Sequence, residues 1–283
     1  MVIKRKNFII GILILAAAVV LAFCFNKAAA SETFSETGET FSLPVVMYHS
    51  VRQEEKYSGK YVITPAQFEA DLKYLAENGY TAVSVEELCM FVSGKGKLPP
   101  KPVLLTFDDG YYNNYLYVYP LLKQYNAKAV ISPVGKFSEL YSEEPQAAGY
   151  SHLSWDQVRE MAQSGFVEIG NHSYNKHSAD TRAGVLKKDG ESESEYISAI
   201  TEDIEKMQLL LKENSGVDCV IFAYPFGNYD KAGRECVEKM PFVCSLSCTE
   251  GLNEIKKGSS LQMLKRYNRP AGINSADFFE SLK

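Results

Sequence analysis

The feature that most constrains this chain is the alternation of short, apolar, β-branched runs with amphipathic helical stretches. PVVMYHSV (44–51), VLLTFDD (103–109), KAVISPV (128–134), FVEIGNHS (166–173), CVIFAYP (219–225) and FVCSLSC (242–248) read as strands buried on both faces. Between them lie FEADLKYLAEN (68–78), NNYLYVYPLLKQY (113–125), LSWDQVREMAQSG (153–165), SEYISAITEDIEKMQLLLKEN (194–214) and KAGRECVEKM (231–240), all with helical periodicity. Thr64, Pro65, Gln67 and Gly79 announce the first of these helices, as a capping box with proline at the first helical position and a glycine stop. Ser154 and Gln157 form a second capping pair. Apolar strands joined by helices predict an α/β fold with a parallel sheet, closed or nearly closed into a barrel, and functional residues at the carboxyl ends of its strands.

The 283 residues fit one large catalytic domain, and a hydrophobic share of 46% with 23% charged residues is ordinary for a globular protein. A net charge of -5 argues against nucleic acid as a partner. The first thirty residues are a separate object. Lys4, Arg5 and Lys6 precede an apolar run over 8–25, which predicts an exported chain whose residues 1–30 are a signal peptide or signal anchor. Ala28 and Ala30 offer a cleavage site, whereas the length of the run favours a retained membrane anchor. Phe23 is too bulky for Cys24 to carry lipid, so that thiol reads as membrane-buried. Residues 31–42 (SETFSETGETFS) read as a flexible tether, with the catalytic domain over 43–283. Five cysteines remain, Cys89, Cys219, Cys236, Cys244 and Cys248. Their odd number and the lack of a C-x-x-C pair make buried free thiols the simplest reading.

The stretch VLLTFDDGY ends in two adjacent acids, Asp108 and Asp109. Two carboxylates at the end of a buried strand need a positive neighbour, which a divalent metal would supply; a turn with solvated acids is the plainer alternative. Glu168 opens a second strand end, EIGNHSYNKH, which carries His172 and His177, two of the four histidines. Alone the pair reads as surface loop histidines. Combined with Asp109 it gives three N/O ligands with positions left open for water and substrate, as in a catalytic zinc site. Asp108, beside the metal but not on it, is placed to act as a general base.

T-F-D-D-G (106–110), N-H-S-Y-N-K-H (171–177) and Y-P-F-G (224–227) together resemble three motifs of the polysaccharide deacetylase family, also known as the NodB-homology or carbohydrate esterase 4 group. The resemblance runs over roughly 44–270. It implies a distorted (β/α)7 barrel, a divalent metal, Zn2+ before Co2+ or Ni2+, on Asp109, His172 and His177, and removal of acetyl groups from N-acetylated sugars. Asp108 resembles the catalytic base that deprotonates a metal-activated water. Phe226 would donate its backbone N–H to the oxyanion, with Tyr224 beside it at the substrate.

Two departures from the family pattern matter. Ala223 stands where the family carries an arginine beside its catalytic aspartate, and Arg266 is the first candidate to replace it, with Arg269 second. The late L-x-H motif that supplies the acid is missing. His49, in M-Y-H-S at the end of the first strand, matches the permuted arrangement of poly-N-acetylglucosamine deacetylases, where the acid comes from the amino-terminal side. Closing a barrel would bring that strand beside the last one. His152 reads as structural or substrate-adjacent, while Tyr111, Tyr112 and the single tryptophan, Trp155, are candidates for a sugar platform. The expected protein is thus a monomer acting on an N-acetylated polysaccharide at the cell surface, held to the membrane by its amino-terminal segment. O-acetyl ester or cyclic-amide hydrolysis at the same metal, or an anchored glycan-binding role with weak activity, are the alternatives.

Overall fold

The computed structural model describes residues 39–178 and 182–282. The expected leader and most of the tether lie outside them. No helix among the described residues is long and apolar enough to cross a membrane.

The tether gives up its last two residues to structure, because β1 (Phe41–Leu43) is already a strand, paired with β13 (Asn253–Ile255). The main parallel sheet has the order β15 (Tyr267–Asn268), β2 (Val45–Tyr48), β6 (Pro102–Asp109), β7 (Ala129–Pro133) and β8 (Val167–Ile169), with β5 (Thr81–Ala82) at the start of β6. A second parallel sheet runs β11 (Ile221–Ala223), β12 (Cys244–Leu246) and β14 (Leu261–Leu264), and two short pairs, β3 (Ser50–Val51) with β4 (Val62–Ile63) and β9 (His177–Ser178) with β10 (Arg182–Ala183), stand apart from both. The barrel expected from the sequence is therefore split rather than one closed sheet. On one side a single bridge, Asn171 to Phe222, spans the seam. On the other the chain itself does, since β14 pairs with β12 and, only a Lys265–Arg266 step later, β15 pairs with β2. Strands of three or four residues at these positions are too short to carry a continuous ladder around the ring.

Side-chain alternation sorts the two faces. On β6, Val103, Leu105 and Phe107 join the larger core under the helices, together with Phe68, Leu72, Val158, Met161, Ile200, Ile204 and Met207. Leu104 faces the other way, into a second core with Val45, Val130, Ile221, Ala223, Leu246 and Leu264. A helix that the sequence patterning did not single out, α2 (Val85–Val92), packs Val85, Leu88 and Phe91 into that second core, opened by a full capping box between Ser84 and Glu87. By the same period of two, Thr106 and Asp108 come after Leu104 on the enclosed side, so the alternation delivers a buried carboxylate to the end of the strand.

The predicted helices form with small changes. α1 (Pro65–Glu77) is capped by Thr64, but the Gln67 side chain donates to Pro270 O at 3.0 Å instead of closing the box. The stretch after Asp109 starts as a π-helical turn (Asn114–Val118) and becomes α3 (Tyr119–Gln124) at Pro120. Next come α4 (Gly135–Glu143) and α5 (Trp155–Gln163), the latter with the Ser154–Gln157 box complete. The longest, α6 (Glu193–Ser215), runs from a Ser192–Glu195 box to Gly216 at φ 75°. α7 (Lys231–Glu238) packs on it, and α8 (Ser275–Glu280) packs on α1.

Candidate metal centre and active site

At the carboxyl end of β6 the chain turns sharply. Asp109 takes φ 70° and Gly110 φ 66°, and a Cβ on Gly110 would lie 2.6 Å from the Pro133 backbone. Only glycine tolerates that approach. A left-handed aspartate is a costly conformation, of the kind kept where it aims a functional group.

Asp109 aims at two imidazoles. His172 Nε2 lies 3.5 Å and His177 Nε2 3.1 Å from the same oxygen, Oδ1. One donor atom from each of the three residues falls within 4.8 Å of the others. Oδ1 is buried and has no hydrogen-bond partner among the described residues. An orphaned carboxylate oxygen between two imidazole nitrogens is what a cation site looks like from its protein side, so these residues fit a divalent ion. His172 Nδ1 sits 2.8 Å from Ala223 O, so that nitrogen carries the proton and leaves Nε2 a lone pair toward the centre.

Asp108 points elsewhere. Arg266 meets it with two bonds, Nη1 to Oδ1 at 2.8 Å and Nη2 to Oδ2 at 2.7 Å, while Nη1 also reaches Thr106 Oγ1 at 3.2 Å and Nε donates to Ser247 O at 2.7 Å. Both partners are at most 2% exposed. Burial alone would push the Asp108 carboxyl up, but the Arg266 guanidinium outweighs it and holds the group below the usual carboxylate range. Arg269, the second candidate, is committed to Asp71, at 2.9 and 2.8 Å through Nε and Nη2. The choice left open by the sequence therefore falls on Arg266.

These groups share one open cavity of about 580 Å³, lined also by His49, Tyr61, Tyr111, Phe226 and Cys248. His49 reaches it from just past the end of β2, with Nδ1 buried and without a hydrogen-bond partner among the described residues, and its ring 4.7 Å from that of Tyr61. Burial lowers the His49 pKa, while Asp108 and then Asp109 pull it back up. Phe226 stacks on His177 at 4.0 Å and takes φ 58°, turning its backbone at the cavity edge.

Other expected site residues are not brought there. Tyr224, just past β11, is fully buried on its outward side against Phe222 and Tyr229, because Ala223 takes the inward position and alternation sends its neighbour out. Trp155 is a core residue at the start of α5, and Tyr112 stacks on Tyr115, so neither lines the cavity. His152 stacks behind the site on Tyr111 and packs against Phe137. Cys248, Lys60, Glu250 and Asn268 line the cavity without having been singled out in the sequence. For Cys248 the signal was available, since it lies just past the end of β12 as His172 lies just past the end of β8. All five described cysteines are free thiols.

Known proteins resemble this chain in sequence and in fold. The polysaccharide deacetylase family matches residues 95–244, which is 150 of the 283 positions. The candidate polysaccharide deacetylase YxkH of Bacillus subtilis (strain 168) is 27% identical over 263 residues, covering 91% of this chain and 83% of that protein. The poly-beta-1,6-N-acetyl-D-glucosamine N-deacetylase of Escherichia coli (strain K12) is 25% identical over 289 residues, covering 92% of this chain. This chain spans only 43% of that longer enzyme. Among solved structures, a de-N-acetylase from Aggregatibacter actinomycetemcomitans superposes with a TM-score of 0.72 at 25% identity, over 84% of this chain and 99% of that one.

Proposed function

Since the chain belongs to the polysaccharide deacetylase family, we propose that it removes N-acetyl groups from an N-acetylglucosamine-containing cell-surface polysaccharide with a metal-dependent site. The observation that carries this reading is the Asp109, His172 and His177 cluster opening into the same cavity as the Asp108–Arg266 pair.

Asp109, His172 and His177 are the residues that would hold a divalent ion, Zn2+ first with Co2+ or Ni2+ compatible with the same donors, and such an ion supplies acidification of water and polarisation of the acyl carbonyl. The remaining chemistry belongs to side chains of this chain. Asp108, kept ionised and oriented by Arg266, takes the proton of the attacking water. The Phe226 N–H would donate to the oxygen on which negative charge develops. His49, in the field of Asp108 and Asp109, gives its proton to the departing nitrogen as the C–N bond breaks. Acetate and a free amino sugar result. The basic and then apolar amino-terminal sequence suits a chain exported to meet such a polymer.

The test is product analysis. Purified protein incubated with poly-β-1,6-N-acetylglucosamine and with an O-acetylated xylan should release free amines and acetate from the first and no acetate from the second. Activity should vanish with a chelator, return with Zn2+, and be absent in Asp108→Asn. Acetate from xylan alone would establish an esterase instead, and full activity in chelator would remove the metal from the mechanism.

A further inference from the structure

The two histidines sit at either end of a short loop, and something must fix that loop before an ion arrives. Its backbone turns through Ser173 at φ 70°. Asn171 Oδ1 accepts the Ser173 N–H at 2.8 Å, and Ser173 Oγ accepts the Lys176 N–H at 3.0 Å. From α4 the Gly135 and Lys136 N–H groups bond to Ser173 O and Tyr174 O at 3.1 and 2.9 Å. This leaves two successive amides, those of Tyr174 and Asn175, pointing outward toward α6. Consecutive N–H groups around a left-handed residue form a small concavity that binds an anion.

The anion is part of the chain. Asp203 Oδ1 accepts the Tyr174 N–H at 2.9 Å and Oδ2 accepts the Asn175 N–H at 3.0 Å. Lys176 Nζ lies 3.4 Å from Oδ2, and the carboxylate is buried. We propose that Asp203 is a positioning residue of the metal centre, pinning the loop between His172 and His177 to α6 so that both imidazoles are set at ligand spacing before metal binds. The inference rests on the metal reading above and extends it by assigning a role to a helix that contributes no ligand. Asp203 touches neither substrate nor ion; it acts through backbone geometry, where supporting residues around a metal are typically worth about 10- to 100-fold in affinity.

Asp203→Asn tests this closely, because the amide keeps one acceptor for Tyr174 but turns an N–H toward the N–H of Asn175. The matched control is Glu168→Gln. Glu168 is a part-buried carboxylate that likewise accepts from two successive amides, Val85 at 2.5 Å and Glu86 at 3.0 Å, but at the start of α2. Zn2+ affinity of the full chain, by competition with a chromogenic chelator, should fall about 10- to 100-fold in Asp203→Asn and stay at the wild-type value in Glu168→Gln. The Co2+ absorption spectrum should change only in the first. Unchanged affinity and spectrum in Asp203→Asn, or an equal loss in Glu168→Gln, would overturn the assignment. If Asp203→Asn does not fold, amide exchange of the metal-free wild-type chain decides: protected Tyr174 and Asn175 amides support the tether, and freely exchanging ones refute it. A wild-type chain that takes up no Zn2+ would sink the metal reading instead, and the exchange measurement would still report on the tether.

Discussion

The Asp108–Arg266 pair is where a single side chain carries most. Both groups are buried, and the guanidinium spends its donors on Asp108, Thr106 and Ser247. Removing one partner of such a pair strands the other charge, which costs about 3–5 kcal/mol. Arg266→Met should therefore lower the urea midpoint and abolish turnover together, because an unpaired Asp108 regains the upward push of burial and takes up a proton. Arg266→Lys should recover stability in part but little activity, since an ammonium cannot supply the two parallel bonds that orient the carboxylate. Measuring kcat and unfolding on both variants separates charge from geometry. Asp108, Asp109 and His49 were legible in the sequence because each ends or directly follows an apolar strand, and His172 and His177 because they lie close together beyond one. Arg266 was legible only as one of two, since the link that carries it joins strands too short to leave a periodic signature.

At the scale of elements, β14 shows how a short strand reaches its target. Its register against β12 shifts between Cys244 and Leu246, and Met263 takes φ 59° within it. Such an irregularity bends a strand and re-aims the residues beyond it, and here Arg266 lies just beyond. α6 works differently, as a long scaffold holding Asp203 against the loop between His172 and His177. Its length was plain from the sequence, whereas its hold on the loop was not, because a buried aspartate in a helical repeat has no pattern of its own. Loss of the Ser192 cap, in Ser192→Ala, should cost about 1 kcal/mol. Met207→Ala, which opens a hole in the core under the same helix, should cost about 2–5 kcal/mol. Urea unfolding of the two variants should keep that order; a cap that matters more than Met207 would mean that α6 is held by its end rather than its face.

For the whole molecule, the alternation of apolar runs and helices was enough to predict an α/β fold with parallel strands. It was not enough to show that the barrel strands fall into two parallel sheets, because among the described residues the seam depends on a single bridge and on a chain link, and neither has a sequence period. Stability over pH depends on groups that the fold encloses. His152 is pushed down to about 4 by burial, with Asp109 pulling it up and His177 pushing it further down. The unfolded chain binds that proton from about pH 6.5 downward. Between there and about pH 4 the unfolded state holds more protons, so stability should fall as pH falls through this window and level off below it. His152→Phe, which keeps the ring among Tyr111 and Phe137, should flatten this part of the curve when unfolding is measured across the range.

The link between β14 and β15 also has a consequence in time. Asp108 and Arg266 lie 158 positions apart, and Asp71 and Arg269 lie 198 apart. Contacts of that span form late in folding. As the chain lengthens during synthesis, the three candidate ligands are present long before the residue that keeps the neighbouring carboxylate charged. A product cut short before residue 266 would carry the candidate ligands beside an Asp108 that lacks its Arg266 partner. The pairing that orients the Asp108 carboxylate therefore waits on Arg266, which follows all three candidate ligands in the order of synthesis.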